Sequence, residues 1–93
     1  MTEPTETAEI ANLRVKANAG DADAQHSLGD AYQFGQGVPQ DDAQAVAWHR
    51  KAAEQRHAES QYNLGLAYAN GQGVPQDYAQ AAAWYRKAAE VRK

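Results

Sequence analysis

The seven residues Gly35-Gln-Gly-Val-Pro-Gln-Asp41 return unchanged as Gly71-Gln-Gly-Val-Pro-Gln-Asp77, at an offset of 36 (71 minus 35). The same offset aligns Leu28-Gly29 with Leu64-Gly65, Tyr32 with Tyr68, Trp48 with Trp84, and Arg50-Lys-Ala-Ala-Glu54 with Arg86-Lys-Ala-Ala-Glu90. About two thirds of the aligned positions in the two units are identical, which marks a repeated supersecondary unit.

Working outward from the turn, each unit reads as two helices. Ala22 to Phe34 places Gln25, Leu28, Gly29 and Tyr32 at helical spacing and stops at Gly35-Gln-Gly37, where glycine can take the left-handed conformation that ends a helix. Val38-Pro39 cannot continue it, and Asp41 supplies a carboxylate to cap the next helix, expected over Asp42 to Gln55. The second unit repeats this as Ala58 to Asn70, the turn Gly71 to Gln76, and a helix capped by Asp77 from Tyr78 to about Val91. Ahead of both, Glu6 to Asn18 carries Ile10, Leu13 and Ala17 on one stripe, and the offset sets Ala11, Arg14 and Ala17 against Ala47, Arg50 and Ala53. It reads as a lone second-type helix that caps the first repeat and ends at Gly20. The expectation is an all-α fold, an α/α superhelical solenoid of five helices. The single domain 1–93 would comprise a disordered start 1–5, an N-terminal helix 6–20, repeat one 22–56 and repeat two 58–92.

Composition agrees with close-packed helices. At 93 residues, only roughly 60–65% of the unfolded surface can be buried. The apolar content is mostly alanine, with 5 Tyr and 2 Trp as wedges. A net charge of −3 with interspersed signs offers no basic surface to nucleic acid or to an anionic membrane. The absence of cysteine removes disulfides and thiolate metal sites. No run of secretory or membrane-spanning length is present, so the default reading is cytoplasmic, with a leader removed from the chain still compatible.

Glycine inside a helix costs roughly 1 kcal/mol relative to alanine, so the repetition of Gly29 and Gly65 implies a close helix crossing. Ala45, Trp48 and Ala52, with Ala81, Trp84 and Ala88, lie at i, i+3, i+7 and give the second helix a small-large-small stripe against Leu28/Tyr32 and Leu64/Tyr68. Both tryptophans are therefore read as core. The glycine-rich turn lacks the lysine and Ser/Thr of a phosphate loop, and turn geometry plus capping accounts for its two occurrences.

These residues resemble a known family. Leu-Gly-x-x-Tyr, Gly-x-Gly-Val-Pro-x-Asp, Ala-x-x-Trp and Arg-Lys-Ala-Ala are similar to the Sel-1-like repeat family, relatives of the tetratricopeptide repeats, from about Ala22 to the C-terminus. The resemblance implies a superhelix acting as an adaptor or scaffold, with a partner on the concave face lined by the first helix of each repeat. It brings no catalysis and no cofactor. Arg56 and Arg92 stand where the family usually ends its second helix with glycine, so a differently capped inter-repeat turn is expected at Arg56-His57. Ser60 stands where alanine is common, and the cysteine-paired branch of the family does not apply.

Removing the packing positions leaves a candidate partner-binding face: Asp23, His26, Asp30, Gln33 and Phe34 in repeat one, and Glu59, Tyr62, Asn63, Leu66 and Asn70 in repeat two, with Ser27 and Ala69 beside them. The two repeats differ most at these positions, as a binding surface would, although drift of exposed positions would look the same residue by residue. Tyr62 and Leu66 would form an apolar spot flanked by Asp23, Asp30 and Glu59, suited to a protein or peptide with an apolar anchor and basic flanks. His26, Asp30 and Asp23 share a helix face, but the three histidines lie on separate helices, so the cluster is read as solvated surface, with His49 and His57 exposed and no metal bound. No serine–histidine pair has an orienting acid in the sequence, so no enzyme is expected. The alternative function comes from the ends: Ala79, Ala82, Tyr85 and Ala89 would be uncovered, allowing a homodimer through solenoid ends, a self-assembling fragment, or a small inhibitor or immunity-type protein.

Overall fold

A computed structural model describes residues 6–92; the expected disordered start, 1–5, lies outside them. Five α-helices follow in order: α1 (Ala8–Asn18), α2 (Ala22–Phe34), α3 (Asp42–Ala53), α4 (Ala58–Asn70) and α5 (Tyr78–Val91). Each packs mainly on its chain neighbours, giving an elongated stack of 47 × 25 × 15 Å. The all-α solenoid expected from the repeat is the fold observed. No helix among the described residues is long and apolar enough to cross a membrane.

Two boundaries differ from the sequence reading. The first helix begins at Ala8, because the Thr7 hydroxyl accepts from the Ile10 amide and caps it, while Glu6 stays outside the helix and pairs with Arg14. The third ends at Ala53 instead of Gln55, because Arg56 turns to φ 65°. Its amide donates to Ala53 O and the His57 amide to Ala52 O, the same paired bonds that Gly20 and Asp21 make to Ala17 O and Lys16 O. Arginine thus occupies the left-handed position that glycine fills one repeat earlier and closes the turn with the same bonds, which corrects the expectation of a differently capped turn at Arg56-His57.

Repeated residues make repeated contacts. Leu28 and Leu64 are fully buried, Trp48 is buried and Trp84 half-buried, and Ala45, Ala52, Ala81 and Ala88 are buried between helices. Tyr32 and Tyr68 are half-buried, their hydroxyls accepting from Arg14 Nη2 at 2.9 Å and Arg50 Nη2 at 2.7 Å. Buried Gln25 and Gln61 donate to Ala17 O and Ala53 O, both at 3.1 Å, satisfying carbonyls at the ends of α1 and α3. The second turn glycines, Gly37 after α2 and Gly73 after α4, lie against the starts of α1 and α3: a β-carbon on Gly37 would meet Ile10 and Thr7, and one on Gly73 would overlap the Asp42 carbonyl and Val46. Ile10 is the counterpart of Val46 at the offset, so α1 serves repeat one as α3 serves repeat two.

Gly73→Ala must accommodate both that overlap and φ 77°, so it should lower stability by about 2–4 kcal/mol. Chemical denaturation checks this; a loss under about 0.5 kcal/mol would mean the turn does not seat on α3. Arg56→Gly should act oppositely, relieving about 1 kcal/mol of left-handed strain, seen in a melt as a Tm rise of about 4–8 °C.

Candidate functional site

All three histidines of the chain meet in the crevice between α2, α3 and α4. The His26 ring stacks on His57 at 4.7 Å between centroids and lies 5.1 Å from His49. This corrects the expectation of scattered, exposed imidazoles: His49 is 3% exposed, and His57 is half-buried. Helix stacking brings them together, since His26 faces the inter-repeat junction from α2, His49 leans from α3, and His57 caps α4 by accepting from the Ser60 amide at 3.2 Å.

Around them runs a defined hydrogen-bond chain. Because His57 Nδ1 accepts that amide, its Nε2–H donates to Asp23 Oδ1 at 3.0 Å. Ser60 Oγ stands between His57 Nδ1 at 3.0 Å and His26 Nδ1 at 2.8 Å. On its other side, His26 Nε2 faces Asp30 Oδ2 at 3.2 Å and Glu59 Oε2 at 3.6 Å, and His49 Nε2 lies 3.4 Å from Asp30 Oδ1. The sequence reading found no serine–histidine–acid grouping, yet Ser60, His57 and Asp23 form one across two helices. Ser60 is 0% exposed, so its hydroxyl cannot reach a substrate, and its amide caps α4 instead of forming part of an oxyanion site. The grouping is structural.

The glycine at the helix crossing explains why His49 can be buried. A β-carbon on Gly29 would lie 2.7 Å from His49 Cε1 and Nδ1, so the imidazole occupies the space that glycine leaves. In repeat two the ring on Gly65 is Tyr85, equally close at 2.7 Å. The expected crossing is thus a ring laid over glycine. By the offset, His26, Asp30 and His49 correspond to Tyr62, Leu66 and Tyr85, and the tyrosine pair sits 5.4 Å apart. Paired replacement of two positions on different helices was the available sign that they touch; taking histidines one helix at a time missed it.

The other face residues divide. Gln33, Asn63 and Leu66 line a cleft of about 30 Å³ with Asp42, Ala45, Val46, His49, Ala67 and Gln72. Tyr62 instead joins Tyr85, Ala88, Ala89 and Arg92 around a separate groove of about 500 Å³. Leu66 thus borders the cleft and Tyr62 the groove. Asp23, Phe34, Glu59 and Asn70 are exposed.

Burial, reinforced by His26 and His57, pushes the His49 imidazole down from 6.5 to about 4. The unfolded chain therefore binds a proton near pH 6.5 that the folded chain refuses until about pH 4. This contribution is fully present above pH 6.5 and is lost as the pH falls toward 4, a change of about 3 kcal/mol. Denaturant titrations at several pH values should show this slope, and His49→Phe should remove most of it; an equal slope in the variant would contradict a buried neutral His49.

Comparison with known proteins follows the geometry. The Sel1 repeat family model matches residues 22–57 and 58–91. The structure is similar to that of a Sel1 repeat protein from Oxalobacter formigenes, with a TM-score of 0.86 and 44% identity over 87% of this chain and 62% of that one. It is also similar to a protective antigen of uropathogenic Escherichia coli with an SLR fold, with a TM-score of 0.85 and 49% identity over 90% of this chain and 18% of that one. Cysteine rich protein B of Helicobacter pylori matches with a TM-score of 0.86 over 90% of this chain and 63% of that one; at 24% identity the likeness speaks to fold alone. The chain thus spans less than two thirds of each of these proteins. No curated protein matches it. With both repeats matched end to end, the chain belongs to the Sel1 repeat family.

Proposed function

We propose that this chain is a non-enzymatic protein-interaction module that takes a protein or peptide segment bearing basic residues across the face shared by α2 and α4. Sel1 repeats are in general protein-interaction modules, and the observation that carries the finer reading is the charge of this face. Asp42 lines the cleft with no Lys or Arg among its other lining residues, and Asp23, Asp30 and Glu59 are exposed or partly exposed carboxylates on α2 and α4. At about 30 Å³ the cleft beside Leu66 admits a small apolar tip. Exposed carboxylates around it favour cationic flanks and faster encounter more than raw affinity.

A second reading, docking or self-association at one end, is favoured by the Tyr62/Tyr85 groove. In repeat one, His26 of the equivalent ring pair is met by His57, which caps α4, and by Ser60 of α4. Among the described residues no sixth helix covers the tyrosines.

Selection from a displayed peptide library separates the readings. Recovered peptides should be enriched in Lys and Arg and should bind more weakly as salt rises. Gln33→Ala with Leu66→Ala should weaken them about 10-fold or more while leaving the melting curve within a few degrees. Binding lost only in Tyr62→Ala with Tyr85→Ala, or a solution mass of two chains that this pair reduces to one, would overturn the α2/α4 face in favour of the end.

A further inference from the structure

His49 is 3% exposed, and neither of its ring nitrogens has a hydrogen-bond partner. The approach of Nε2 to Asp30 Oδ1 at 3.4 Å is close enough for charge attraction but is not aligned as a hydrogen bond. A buried polar group left in this way carries its full desolvation penalty, so it calls for an explanation such as a missing ion. Its neighbours supply one. Donor atoms of His26, Asp30 and His49 all lie within 4.8 Å of one another.

We propose that His26, His49 and Asp30 bind a divalent transition-metal ion of the zinc type, through Nε2 of each imidazole and the Asp30 carboxylate, with the remaining position left to Glu59 or water. Tetrahedral zinc with bonds of about 2.0–2.1 Å holds its donors about 3.3 Å apart. The carboxylate–imidazole separations, 3.2 Å from Asp30 Oδ2 to His26 Nε2 and 3.4 Å from Asp30 Oδ1 to His49 Nε2, lie near that spacing, with one oxygen facing each ring. Two imidazoles with one carboxylate suit zinc, cobalt, nickel or copper; calcium and magnesium prefer all-oxygen sets. The surroundings match as well. With His26 Nε2 on the ion, Nδ1–H donates to Ser60 Oγ, Ser60 donates to His57 Nδ1, and His57 Nε2–H donates to Asp23. Such a chain fixes the tautomer and orientation of a ligating histidine. The ion would brace α2 against α3 in repeat one. In repeat two, Tyr62, Leu66 and Tyr85 fill the same positions, so a chain holds one such site.

The test uses the full chain without a purification tag. Competition with a chromogenic chelator should show one Zn²⁺ per chain, and Co²⁺ should give the visible absorption of a tetrahedral complex. His26→Tyr/Asp30→Leu/His49→Tyr, which copies the residues of repeat two, should keep its helix content and bind neither ion. Asp30→Asn, a change at a partly exposed position, should raise the Zn²⁺ Kd about 10-fold or more even if the triple variant fails to fold. Absence of stoichiometric Zn²⁺ binding by the wild-type chain, unchanged binding by the folded triple variant, or an unchanged Kd in Asp30→Asn would overturn the assignment.

Discussion

A ring laid over a helix glycine is the contact on which the rest of this structure depends. Gly29 and Gly65 forgo the intrinsic helix stability that alanine would give, and in exchange α2 and α4 let a ring from the following helix rest against the backbone. That contact sets how closely the two helices of a repeat approach. It also decides what can be displayed there, because the seated ring lies at the surface that the next helix covers. In repeat one the ring is imidazole and the cover is α4, with His57, Glu59 and Ser60. In repeat two it is phenol, partnered by Tyr62.

Contacts between repeats use a different and more conservative set of residues. Arg14 and Arg50 reach the hydroxyls of Tyr32 and Tyr68, Gln25 and Gln61 reach the last carbonyls of the preceding helix, and Gly37 and Gly73 let the turn lie against it. These join one repeat to its neighbour with polar groups that are satisfied in the junction, which suits an alanine-rich stack with little bulky apolar area. One place departs from the pattern. Gln25 Oε1 accepts from Gln55, but Val91 stands at the corresponding position beside Gln61, whose Oε1 has no partner.

The fold was legible because its determinants are local and occur twice. Gly35, Pro39 and Asp41 encode a helix end, a break and a cap within seven residues, and their return at Gly71, Pro75 and Asp77 leaves little freedom for the architecture. The helix boundaries that were misplaced depended on single side chains: Thr7 as a cap, and Arg56 in a conformation that sequence propensity disfavours. The histidine cluster was hidden for another reason. His26, His49 and His57 lie 23 and 8 residues apart (49 minus 26, 57 minus 49) on three elements, so periodicity within one helix says nothing of their meeting. Only the paired exchange of His26/His49 for Tyr62/Tyr85 carried the information. Likewise, i, i+4 spacing put Tyr62 and Leu66 on one helix side, while the depressions they border, the cleft for Leu66 and the groove for Tyr62, depend on neighbouring helices.

The seat of His49 on Gly29 ties packing, the histidine cluster and the polar crevice together, and imidazole NMR tests it most directly. A long-range ¹H–¹⁵N spectrum followed through an acid titration, with contacts to the Gly29 α-protons recorded alongside, reports both position and charge of each ring. The account requires His49 to contact Gly29 and to stay neutral down to about pH 4, and His57 to show the Nε2–H tautomer. A His49 ring that titrates near 6.5 without contact to Gly29 would contradict it.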